Sequence, residues 1–167
     1  PTIRVPFQRQ WGEFSAEASV LNTYYEQDHV ENTDLEETVN RTLTQGKLYG
    51  ALYFENEDSW FGDNHTMTLE PRVQYLYTSY EDQSGIGFYD TTLWLTDVEG
   101  LFRGQDFTGL DRISDNNEVT VALTSRLLDE TNREQFVLSV GQIFYLDDNR
   151  VTSAIREGNR SALAAEF

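Results

Sequence analysis

Apolar and polar residues alternate along most of this chain with a period of two, the spacing of a β-strand with one apolar and one polar face. Ile3, Val5 and Phe7 share a face of a strand predicted over Ile3–Gln8, and a turn at Arg9–Gly12 follows. From Glu13 to Tyr25, Phe14, Ala16, Ala18, Val20 and Tyr24 alternate with Ser15, Glu17, Ser19 and Thr23. A charged loop at Glu26–Asp34 leads to a third strand near Glu36–Leu43, and a tight turn at Thr44–Gly46, signalled by its glycine, introduces a fourth over Lys47–Glu55. In "HTMTLEPRVQYLYT", Met67, Leu69, Pro71, Val73, Tyr75 and Tyr77 oppose Thr66, Thr68, Glu70, Arg72 and Gln74. "EVTVALTSRLL" sets Val119, Val121, Leu123 and Leu127 against Glu118, Thr120, Thr124 and Arg126. "EQFVLSVGQIFYL" sets Phe136, Leu138, Val140 and Phe144 against Gln135, Ser139 and Gly141. With a weaker strand at Phe88–Asp97, about eight antiparallel strands are expected in an all-β fold.

Strand length narrows the class. Several of these segments run eleven to thirteen residues, whereas strands of soluble domains cluster near five or six and membrane-crossing strands need about 9–11. The predicted connections alternate between a short set, Arg9–Gly12, Thr44–Gly46, Ser79–Gly87 and Asp129–Arg133, and a mostly longer set, Glu26–Asp34, Asn56–His65, Val98–Asn117 and Asp147–Ser161. Short turns on one rim and long loops on the other characterise a transmembrane β-barrel. The expectation is an up-and-down antiparallel segment of a large barrel that does not close within 167 residues. The final "SALAAEF" begins an alternating pattern and stops, and "PTIRVPFQRQ" has neither an initiator Met nor a signal-peptide layout, so both ends are expected to lie inside a single domain. No run of about eighteen apolar residues suggests a membrane helix.

Twelve basic against twenty-nine acidic residues give a formal charge of −17, a field that repels nucleic acid. The acidity suits solubility in a salt-rich habitat or, alternatively, divalent-cation binding. Cysteine is absent, which excludes disulfides and thiolate metal sites, and His29 and His65 lie far apart in no metal-ligand pattern and read as surface residues. Acidic runs such as Leu146–Asn149 lack the ligand spacing of a calcium loop and read as solvated turns. No nucleophile–base ordering, phosphate-cradling loop or singled-out carboxylate pair is present, so no catalytic residue, metal or cofactor is expected. The competing class is a soluble β-sandwich that binds carbohydrate, with Trp11, Trp60 and Trp94 as stacking platforms. Trp11 and Trp60 lie beside predicted turns, where a barrel places its aromatic girdle.

The stretch "GLFRGQDFTGLDRISDNNE", Gly100–Glu118, breaks the alternation. Gly100, Gly104 and Gly109 permit unusual backbone, and Arg103, Asp106, Asp111 and Arg112 can pair with one another, so a self-organised loop is expected.

The strings "LEPRVQYLY" (Leu69–Tyr77), "DQS" (Asp82–Ser84), "GLFR" (Gly100–Arg103), "GLDRI" (Gly109–Ile113), "LTSR" (Leu123–Arg126) and "VGQIFY" (Val140–Tyr145), with "VNR" (Val39–Arg41) upstream, resemble in order and spacing the C-terminal barrel of the LptD lipopolysaccharide-assembly family, also called organic solvent tolerance proteins. The resemblance implies non-enzymatic transport in a Gram-negative outer membrane, with lipopolysaccharide as cargo, the LptE lipoprotein as plug, membrane lipid outside, and a periplasmic Lpt bridge reached through an N-terminal domain that this segment lacks. It implies that Gly100–Glu118 folds over the barrel mouth, making Arg103, Asp106, Asp111 and Arg112 lumen-capping candidates. The polar faces supply the lumen-facing candidates Glu70, Arg72, Gln74, Thr124 and Arg126. On this reading charge is tolerated at Gln74 and Thr124 and costly at Val73 and Leu123. Alone, an open sheet with two free edges and one apolar face is expected to aggregate or pair with itself.

Overall fold

The computed structural model describes residues 1–28, 35–56, 65–94, 97–151 and 158–167. Its strands are β1 (Thr2–Arg9), β2 (Gly12–Glu26), β3 (Thr38–Leu52), β4 (Phe54–Asn56), β5 (His65–Thr78), β6 (Asn116–Asp129), β7 (Glu134–Tyr145) and β8 (Ala164–Glu166). They form one antiparallel sheet in the order β1-β2-β3-β5-β6-β7-β8, with β4 also on β5, so the sheet is open with β1 and β8 at its edges. A single sheet is not a sandwich, and the carbohydrate-binding sandwich is set aside.

Two predicted features are corrected. Thr44–Gly46 is not a turn: β3 runs straight through it, with Thr44, Gln45 and Gly46 paired to Val20, Ser19 and Ala18. The alternation of Arg41, Leu43, Gln45, Lys47 and Tyr49 is unbroken across the glycine, and that periodicity outweighs the local turn signal. Phe88–Asp97 is not a strand among its described residues, where the one bridge joins Leu93 to Phe107. The rims are redrawn accordingly. Arg9 and Gly12, Asn56 and His65, and Asp129 and Glu134 are strand ends at one rim, while Glu26 and Thr38, Thr78 and Asn116, and Tyr145 and Ala164 are strand ends at the other. Asn56 and His65, which flank one predicted long loop, thus fall on the rim of the short turns, and Ser79–Gly87 and Val98–Asn117 belong to one connection between β5 and β6.

Pro71 accounts for the break between β3 and β4. Pairing of β3 with β5 runs to Ala51↔Arg72 and resumes at Phe54↔Leu69 in the same register. Proline has no N–H to extend the ladder, and Tyr53 instead donates its N–H to the Trp11 carbonyl (2.9 Å).

The apolar face is the bare one. Ile3 (73% exposed), Val5, Phe7, Phe14, Leu48, Val73, Val121, Leu123 (40%), Phe136 and Leu138 all lie open. Within strands the open face ends in aromatics: Phe14 and Tyr24 bracket Ala16, Ala18 and Val20 on β2, and Phe136 and Phe144 bracket Leu138 and Val140 on β7. At the first hairpin the Phe7, Trp11 and Phe14 rings lie 5.9–6.3 Å apart.

The hydrophobic core forms on the other, nominally polar face. There the partner row Glu13–Ala51–Arg72–Ala122–Gly141–Ala164 crosses the sheet. Its small members leave a seat into which Ser79–Asp115 folds, burying Val98, Leu101 and Phe102 against Ala122 and Ile143, with Tyr49, Tyr145 and Ala164 beside them. A Cβ on Gly141 would lie 2.7 Å from Leu101 Cδ1 and 3.1 Å from Ala122 Cβ, so the seat depends on that glycine. The row meets β2 one residue from its start at Gly12, but β6 seven residues from its end at Asp129. The strands are therefore staggered across the sheet, as barrel closure requires of tilted strands.

Candidate functional site

The region built by strands and loop together is the covered face. Arg41, 1% exposed, is its centre. Its guanidinium donates to Gln83 Oε1 (2.8 Å), to the Asp111 carbonyl (3.1 Å), to the Leu110 carbonyl and to Thr23 Oγ1 (3.5 Å), and lies 5.6 Å from the Tyr25 ring centroid. One strand side chain thus holds both limbs of the loop. Gln83 completes the clamp, accepting from the Ile113 N–H (2.9 Å) and donating to the Ile113 carbonyl (2.7 Å). Gln27 does the same from the end of β2, donating to the Gly85 carbonyl (2.8 Å) and accepting from the Gly87 N–H (2.8 Å) and the Tyr89 hydroxyl (2.6 Å).

Of the predicted capping residues, Asp111 organises the loop. Its carboxylate accepts from the Tyr89 and Asp90 N–H groups (2.7 and 2.8 Å) and the Thr91 hydroxyl (3.2 Å). Burial pushes this carboxyl up, but those donors outweigh it and hold it below the ordinary aspartate range. A depressed folded-state pKa adds stability above the unfolded value of about 3.9 that is lost as pH falls through the folded value. Amide exchange at Tyr89 and Asp90 is therefore expected to accelerate, relative to the intrinsic rate, as pH drops below about 4, and in Asp111→Ala to be fast at neutral pH as well. Equal protection of wild type and variant across that range would remove the role of Asp111. Gly109, at φ +69°, fixes the same corner: an added Cβ would lie 2.9 Å from the Asp90 carbonyl oxygen and closer still to its carboxylate. Gly109→Ala is expected to cost about 2 kcal/mol of loop docking, from the left-handed backbone and the clash together, measured by exchange at Asp90; wild-type exchange would refute it.

Of the expected mutual pairing, Arg112 meets Asp111 at its carbonyl, and the other described contacts of these residues run elsewhere. Arg112 donates to the Ile86 carbonyl (2.7 Å) and to the Asp111 carbonyl (3.1 Å), and its guanidinium covers the Phe88 ring at 4.1 Å. Arg103 stacks over Trp94 at 4.3 Å and approaches Asp97 at 3.9 Å. The Asp106 carbonyl accepts from the Trp94 N–H (2.9 Å). The loop is tied through backbone groups and rings more than through ion pairs.

Glu70, Arg72, Gln74, Thr124 and Arg126 share the covered face but not one environment. Toward the short-turn rim, Arg126 bridges Glu70 (2.8 Å) and Glu134 (3.3 Å). Further along, Arg72 pairs with Glu99 of the loop (2.7 Å), reaches Thr124 Oγ1 (3.4 Å) and lies 4.9 Å from the Phe102 centroid. Thr124 and Ser139 hydroxyls share a 3.0 Å hydrogen bond. Gln74 is 1% exposed, and neither amide atom has a hydrogen-bond partner among the described residues. Burial overturns the expectation that charge is tolerated at Gln74 and Thr124, since each is 1% exposed. Trp11 sits on the open face at the first hairpin, Trp94 lies in the loop, and His65 begins β5 opposite Asp129. Trp60 and His29 are outside the described residues. Arg41 and Gln27, the residues that hold the loop, had no mark in the local pattern beyond Arg41's place in "VNR".

These features define an open all-β sheet of staggered antiparallel strands, apolar on its bare side and polar beneath a packed loop. The chain belongs to the LptD family: the family model described as "LPS transport system D" matches residues 1–167. It is 65% identical over its whole length to the LPS-assembly protein LptD of Pseudoalteromonas atlantica and 45% identical over its whole length to that of Shewanella denitrificans, covering 22% of each. Over 90% of the chain it is 44% identical to the LPS-assembly protein LptD of Salmonella typhimurium, covering 20% of that protein. The chain thus spans about a fifth of the curated relatives it matches.

Proposed function

We propose that this chain is a stretch of the wall of the C-terminal outer-membrane β-barrel of an LptD protein, which passes lipopolysaccharide to the outer leaflet by transport without covalent chemistry. The observation that carries the reading is the inversion of the sheet. In water an apolar face buries and a polar face hydrates; here Ile3, Val73, Val121 and Leu123 are bare, and Gln74, Thr120 and Thr124 are enclosed. A bilayer outside and a lumen inside make both faces favourable. The aromatic ends of the open strands fit the two membrane interfaces, and the staggered register fits closure into a large barrel.

On this reading Ser79–Asp115 lies within the barrel mouth on the rim of the longer loops. Arg103, Asp106, Asp111 and Arg112 shape that cap, and Glu70, Arg72 and Arg126 face the lumen. Lipopolysaccharide, a plug of the LptE kind and a periplasmic bridge are the partners this placement calls for.

The test uses the full-length protein in lipid nanodiscs with single tryptophans introduced at Val73, Leu123 or Ser19. Brominated acyl chains are expected to quench fluorescence at Val73 and Leu123 and to leave Ser19 bright. Equal quenching at the three positions would overturn the assignment of faces.

A further inference from the structure

Between the inner face of β1, β2, β3 and β5 and the loop segment carrying Glu99 and Phe102 lies a cavity of about 260 Å³. Its lining includes Arg4, Ser15, Lys47, Tyr49, Gln74 and Glu99. The volume of about 260 Å³ corresponds to about nine waters at roughly 30 Å³ each, which is room for one sugar ring. The Lys47 ammonium donates to the Phe102 carbonyl (3.1 Å), and the Tyr49 and Phe102 rings meet edge to face at 5.9 Å in the same wall.

Gln74 makes this more than a packing gap. A buried amide with no partner costs about 1–3 kcal/mol, and both ends of this one lack partners among the described residues, as does the adjoining Arg72 Nε. These atoms are sealed from the cavity as they stand, but Gln74 lies in its lining, and a turn of that side chain brings an unmet donor and an unmet acceptor into it. Phosphate only accepts and would leave the Gln74 oxygen unmet, and the lining's cations Arg4, Lys47 and Arg72 are largely balanced by Glu17 and by Glu99, which pairs with Arg72. A hydroxyl both donates and accepts, and an aromatic wall suits the apolar face of a sugar.

We propose that this cavity is a saccharide subsite, holding one sugar ring with the Gln74 amide rotated into it and Ser15 at its mouth. The assignment rests on the reading that the covered face lines the path of lipopolysaccharide, and gives that path a fixed point of contact.

The test places a benzophenone amino acid at Glu17, in the cavity lining, or at Glu70, on the same face outside it, in full-length protein in nanodiscs, and offers purified lipopolysaccharide. The expected result is a lipopolysaccharide adduct at both positions. Gln74→Leu, which matches the shape and removes the unmet amide, and Ser15→Tyr, which fills the mouth from a half-exposed position, should each lower the Glu17 adduct about tenfold and leave the Glu70 adduct unchanged. An adduct at Glu70 without one at Glu17, or a Glu17 adduct indifferent to both substitutions, overturns the subsite and leaves the transport reading standing. Adducts at neither position overturn both, and a Glu17 adduct to a protein assigns the cavity to a polypeptide and overturns the proposal.

Discussion

Replacing Arg41 with alanine is expected to detach the loop Ser79–Asp115 from the sheet while leaving the strands paired. The substitution removes a buried guanidinium that ties both limbs at once, leaving Gln83 Oε1 to the Ile113 N–H, the Leu110 carbonyl to the Tyr25 hydroxyl and the Asp111 carbonyl to Arg112. Hydrogen bonds from a charged donor contribute about 1.5–3 kcal/mol each, so losing those of Arg41 costs about 3 kcal/mol or more. At about 1.4 kcal/mol per factor of ten, that is a hundredfold or greater loss of amide protection, read by hydrogen exchange at Gly87, Tyr89 and Ile113 in the full-length protein. The amides of β5 and β6 should keep their protection. Lysine at the same position retains the charge but not the fork that reaches both limbs, so Arg41→Lys should recover only part of the loss. Unchanged protection in the alanine variant would show that Leu101, Phe102 and the glutamines hold the loop without it.

The second large effect is on the opposite side of the sheet. Leu123 lies midway along β6 on the bare face, and Leu123→Arg should cost about 2–4 kcal/mol of folding stability in a bilayer, as should Val73→Arg. Ser19→Arg, on the polar side and half-exposed, should stay within about 0.5 kcal/mol. Denaturant titration of the full-length barrel in lipid vesicles measures all three. Thr124→Arg distinguishes the bilayer from burial: its cost arises from displacing Ser139 and Arg72, so it should persist in detergent micelles of any thickness. A Leu123→Arg variant as stable as wild type would place that face against water.

The long strands β5, β6 and β7 were legible because their period of two is uninterrupted and their apolar sets are chemically one-sided. β3 was harder, since a Thr-Gln-Gly turn signal sat inside an alternation that read correctly on both sides of it. Phe88–Asp97 alternates well enough to suggest a strand, but among its described residues it is bridged only at Leu93, to Phe107 within the same loop, and pairing is a property of distant residues. The inward fold of the loop depends on Ala51, Ala122 and Gly141, which meet only through strand register. Their sequence mark was slight: small residues where the polar face otherwise carries Thr, Gln or Arg. The clamp was invisible for the same reason, because Arg41, Gln83 and Asp111 come together only once the sheet exists.

The seat formed by Ala51, Ala122 and Gly141 also bears on leakage. A wide water-filled pore would conduct ions and small solutes, yet Val98, Leu101, Phe102 and Ile143 make a dry patch on the side of the sheet that would otherwise be wet. Hydrated ions lose their shell against such a surface, at a cost of several kcal/mol or more. In the proposed barrel the same loop would act as electrical insulation, and a protein with Gly141 enlarged, its loop lifted from the wall, should conduct more current across a planar bilayer than the native one.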